Sequence, residues 1–104
     1  MRKVIIVPKI TSGDERNHCR AGYRAAHMKA NNTERSVVGN HKFEELNRKI
    51  QRLPKGHWAG THTIRGNIHI SNEVLKMYPK KDRTRVARQI KIHEVAEHKF
   101  MGKK

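Results

Sequence analysis

A single cysteine, Cys19, excludes a disulfide within the chain. A lone thiol suits a reducing compartment and usually serves as a small core residue, so a cytoplasmic location is expected. Long apolar runs are also missing. The run Val4–Val7 is far too short for a membrane span or a secretory signal, and no membrane partner is expected. Acidic residues are scarce: nine Asp and Glu stand against 24 Lys and Arg, leaving +15 before any histidine protonates. Adaptation to heat would add glutamate along with lysine and does not explain an excess of one sign. Repeats and low-complexity segments do not occur.

What remains is 104 residues, 35% of them apolar, enough for one domain with a modest two-layer core. The bases are spread from Arg16 to Lys91, which describes a folded basic surface rather than a basic tail. Such a domain repels itself unless a polyanion neutralises it. RNA is the expected partner, with strongly salt-dependent affinity.

The β-branched run Val4–Val7, stopped by Pro8, predicts a strand, and its continuity suggests burial on both faces. Ser12 and Glu15 form a capping-box pattern, and Cys19, Tyr23, Ala26 and Ala30 recur at helical spacing, predicting a helix over 13–29. Asn31-Asn32-Thr33 reads as a loop. Phe43, Leu46, Ile50 and Leu53 make the stripe of a second helix that ends at Pro54. Strands are expected at 61–64 and 68–70 around the turn Arg65-Gly66-Asn67, with a third run over 74–78 stopped by Pro79. Residues 84–100 fit either element, and a strand to about Ile92 followed by a short helix or turn is the preferred reading. The expected fold is α+β: two N-terminal helices packed on a small, mostly antiparallel sheet in one domain.

The stretch from Gly56 to Tyr78 carries the only Trp and three of the eight His. Alternation there turns Ile68 and Ile70 inward and His69 outward, level with His57 or His62 if their strand pairs alongside. His57, His69, Glu73 and His93 form a candidate catalytic set for cleaving RNA through its own 2′-hydroxyl. That reaction needs a base, an acid and cations on the phosphate, and imidazole titrates near neutral pH. Arg65, Arg83, Arg85 and Arg88 are candidate phosphate contacts. Trp58 and Tyr78 are candidate stacking platforms for bases, with core packing the plainer role for Trp58.

The order strand, two helices, then further strands resembles the RelE superfamily of small basic ribonuclease toxins. The match runs mainly over 43–100 and is most like the YafQ-type branch. Leu53-Pro54, His57, a glycine at Gly60 or Gly66, His69-Ile70, Glu73, the run Val74–Tyr78 and His93 follow that branch's order. Glu73-Val74 stands where the family usually has aspartate and tryptophan, and Phe100 comes late. The resemblance implies a RelE-like fold and a metal-independent mRNA endonuclease without cofactor, acting on the ribosome. It also implies an acidic antitoxin covering the basic face.

A second motif competes. On a helix, the segment His93-Glu94-Val95-Ala96-Glu97-His98 puts His93 and Glu97 on one side as metal ligands, with Glu94 as general base. This resembles a zincin motif with glutamate in place of the second histidine and implies zinc. The third ligand is then His98 or an upstream residue. The conformation of 84–92 separates the two readings: a strand favours the RelE-like sheet, a helix through Phe100 favours the metal. A third reading, a non-catalytic structural RNA-binding protein, needs only the charge.

Overall fold

The computed structural model describes residues 3–11, 23–63 and 65–101. Strands β1 (Val4–Val7) and β2 (Ile10–Thr11) come first, then helices α1 (Tyr23–Val38) and α2 (Asn40–Ile50). Strands β3 (His57–Trp58), β4 (Gly60–His62) and β5 (Ile68–Ser71) follow. Helices α3 (Asn72–Leu75) and α4 (Lys80–Met101) complete the chain. The class is α+β, as expected. The expected capping box at Ser12 and Glu15, Cys19 and residue Ile64 lie outside the described residues.

The sheets are mixed. In the three-stranded sheet β1-β5-β4, β1 runs parallel to β5 and β4 antiparallel to it, while β2 and β3 pair separately. The turn at Gly66 is where the sequence puts it: Gly66 adopts φ +90° and its N–H donates to the Thr63 carbonyl at 2.9 Å. Val4–Val7 is a strand, but not a buried one. It forms one edge of its sheet, and Val4, Ile5 and Ile6 are exposed.

The helices depart further from expectation. Asn31-Asn32-Thr33 lies inside α1, which runs on to Val38. Gly39, at φ +91° and ψ 155°, then breaks the chain and opens α2 at once. The run 74–78 is a helical turn rather than a strand. Val74, Leu75 and Tyr78 are buried at helical spacing. Arg83 Nε donates to the carbonyls of Leu75 and Tyr78 and so satisfies the end of that turn.

The largest correction concerns residues 84–92, which belong to the 22-residue helix α4. Its inner stripe is Val86, Gln89, Ile90, Glu94 and Glu97, all buried at spacings of three and four. Three of these five residues are polar, so apolar periodicity alone reads the segment badly. It is α4, not the two earlier helices, that lies on the sheet. Ile90 and Val86 join Ile68 and Ile70 in the core, and α1 packs along α4 through Ala26, Ala30 and Glu34. A Cβ built on Gly60 of β4 would stand 2.6 Å from Ile90 Cγ2 and 3.3 Å from Glu94 Cγ. The absent side chain therefore lets strand and helix touch. No helix among the described residues is long and apolar enough to cross a membrane.

A candidate metal centre between two helices

Among the described residues, the acids Glu34, Glu94 and Glu97 are buried, whereas no lysine or arginine is. Burying a carboxylate is costly unless it is paired or coordinates a metal. Histidines serve these three. His93 Nδ1 lies 3.0 Å from Glu34 Oε1, and His62 Nδ1 lies 3.1 Å from Glu94 Oε1. Glu97 Oε2 is 2.9 Å from His27 Nδ1 and 3.2 Å from His93 Nε2. Gln89 Nε2 donates to the second oxygen of Glu34 at 2.6 Å.

The two helices create this cluster. His27 and Glu34 are two turns apart on α1, on the side where Ala26 and Ala30 let α4 come close. His93 and Glu97 are one turn apart on α4 and face them. Donor atoms of His27, His93 and Glu97 all lie within 4.8 Å of one another. Ligands about 2.0–2.1 Å from a tetrahedral zinc stand about 3.3–3.4 Å apart, so spacings of 2.9 and 3.2 Å need only a small adjustment. Glu34 on the far nitrogen of His93 supplies the carboxylate–histidine pairing that orients a metal-bound imidazole.

All four of His27, His93, Glu94 and Glu97 line one cavity of about 290 Å³, whose wall also includes Trp58 and Asn31. The donor set is therefore reachable, with room for a water and part of a substrate. Burial alone would lower the pKa of His93. Its hydrogen bonds to Glu34 and Glu97 and the charges of Glu94 and Glu97 outweigh that and push it up to about 10. Without a metal, His93 is thus an imidazolium donating from both nitrogens; a metal at Nε2 takes the place of one proton.

The residues expected to form an RNA-cleaving set divide into separate places. His57 and Glu73 do meet, with Nδ1 2.8 Å from Oε1 in a half-buried pair. His69 stands opposite Thr61 and Ile5 in the register, on the face of β5 turned away from Ile68 and Ile70. It is therefore not level with His62, which pairs with Ile68 and turns inward to α4. His93 is on α4, on the other side of that sheet. Of the candidate RNA contacts, Arg65 and Arg88 are exposed, while Arg85 sits 3.6 Å from Glu45 and Arg83 holds the end of α3. Trp58 is half-buried in the cavity wall. Tyr78 belongs to the core, 5% exposed, with Lys49 and Arg85 over its ring, so no base can stack there without displacing them. Its pKa is pushed up to about 12, by burial first and then by the charge of Glu45.

Sequence reasoning picked out His93, Glu94 and Glu97 but not His27, Glu34 or His62. Ending the first helix at Lys29 hid the turn that carries Glu34. The available signal was an acid in register with Ala26 and Ala30 on one helical stripe. Comparison with models of known protein families, with curated proteins and with solved structures finds no match for this chain.

Proposed function

We propose that this chain is a metal-dependent hydrolase whose ion is held by His27, His93 and Glu97. The observation that carries this reading is the convergence of those three donors, from two helices, on a cavity that Glu94 also lines. Two imidazoles and a carboxylate are a common zinc set that leaves a fourth position for water. A bound zinc lowers the pKa of that water and polarises the bond to be cleaved. Glu94, next to His93 in sequence and held by His62, takes the water's proton and passes it to the leaving group. Glu34 keeps His93 turned toward the ion.

The proposed substrate is RNA. The charge supports this: with three of its acids turned inward, the outer surface is still more basic than +15 implies. Cleavage of a labelled RNA should be abolished by a chelator and restored by about one equivalent of zinc. It should fall roughly 10²–10⁴-fold in Glu94→Gln with zinc still bound. RNA left intact by zinc-loaded protein would remove the substrate, and protein that holds no zinc would remove the centre.

A second reading, the metal-independent RelE-like toxin acting at the ribosome and restrained by an acidic antitoxin, is favoured by the His57–Glu73 hydrogen bond. It predicts cleavage that survives chelation and is lost in His57→Ala.

A further inference from the structure

Glu97 uses one oxygen toward His27 and His93; its other oxygen faces a second group of donors. His62 Nδ1 lies 3.6 Å from Glu97 Oε1 and 3.1 Å from Glu94 Oε1. Donor atoms of His62, Glu94 and Glu97 lie within 4.8 Å of one another, and all three side chains are almost fully buried. These spacings bracket the roughly 3.3 Å edge of a tetrahedral zinc site. Two carboxylates and one imidazole match the donor set of a divalent transition ion as well as the first group does. Glu94 and Glu97 line the cavity, which gives an ion a way in.

We infer that His62, Glu94 and Glu97 bind a second divalent ion, with Glu97 bridging the two. This rests on the proposed metal centre, because it uses the same Glu97. The two sites are unequal. The first offers two imidazoles around an open cavity, and a second dication must approach one already bound to the shared carboxylate. The second ion therefore binds more weakly. It also takes Glu94, the residue that accepts the water's proton, as a ligand. Filling the second site inhibits the reaction: zinc activates at one equivalent and inhibits in excess.

Calorimetric titration of the metal-stripped full chain with zinc tests this, alongside elemental analysis after gel filtration. Wild type should bind two equivalents in two steps, and activity should rise with the first and fall roughly 10²-fold with the second. His62→Gln keeps a donor for Glu94 but loses the second set, so it should bind one equivalent and lose the inhibition by excess zinc. Glu94→Gln should also bind one, a check if His62→Gln unfolds. Wild type saturating at one equivalent, or His62→Gln still taking two, overturns the inference. In the first case, dependence of that one equivalent on His27 leaves the proposed centre standing. No binding at all overturns both.

Discussion

Glu34 touches no proposed ion position, yet it decides whether His93 can serve one. Its carboxylate fixes the ring by Nδ1 and leaves Nε2 toward Glu97, while Gln89 holds its other oxygen. Glu34→Gln should therefore weaken zinc binding about 10–100-fold without abolishing it, read from competition with a chromophoric chelator. Glu97→Gln should remove tight binding altogether. Tyr78 gives a residue-scale test independent of metal. Because burial raises its folded pKa to about 12 from an ordinary 10, the fold prefers the neutral phenol. That preference is fully present below pH 10 and is lost as pH rises from 10 to 12, a loss of ~2 kcal/mol. In a Tyr23→Phe background, absorbance should report a single tyrosine titrating near 12. A midpoint near 10 would place Tyr78 outside the core. At this scale the sequence reveals His93, Glu94 and Glu97 through their spacing. His27 and His62 stay hidden because nothing local marks which of eight histidines will face a carboxylate far away in the chain.

Among the elements, α4 was the hardest to read. A helix whose inner stripe alternates Val86 and Ile90 with Gln89, Glu94 and Glu97 presents too little apolar periodicity to announce itself. Ile90 and Ile92 then mimic the alternation of a strand. The polar stripe that hides the helix is the site. By contrast α2 was legible from its stripe of Phe43 and Leu46, although it ends at Ile50 and Leu53 packs from the turn that follows rather than from the helix, and the Gly66 turn was legible too. The parallel pairing of β1 with β5 depends on what lies between them in the chain and leaves no local mark. Gly60 tests how α4 sits. A methyl group there meets Ile90 Cγ2 at 2.6 Å, so Gly60→Ala should destabilise by about 1–3 kcal/mol in urea unfolding. It should also weaken zinc binding by shifting Glu94 and its neighbours. An unchanged midpoint would mean that β4 and α4 are not in contact.

Across the whole molecule, charge is sorted by depth. Among the described residues no lysine or arginine is buried, while three carboxylates turn inward to histidines. The basic composition, plain from the sequence, and the acidic interior, invisible in it, are two halves of one arrangement. The proposed zinc would join α1 to α4 across 70 residues between His27 and Glu97. Binding to the folded state alone adds about 2.7 kcal/mol at a hundredfold excess over Kd, so the melting temperature should rise by roughly 10–20 °C and fall back on chelation. RNA affinity should drop by orders of magnitude between about 50 and 200 mM salt, with a slope set by the number of phosphates neutralised. Retained affinity at high salt would point to contacts other than charge.

The metal position itself is the most direct test. Crystals of zinc-loaded protein, measured at the zinc absorption edge, should give an anomalous peak about 2.0–2.2 Å from a ring nitrogen of His27, from His93 Nε2 and from Glu97 Oε2. Saturating zinc with no peak there, and with His27 and His93 still hydrogen-bonded to Glu97, would contradict the account.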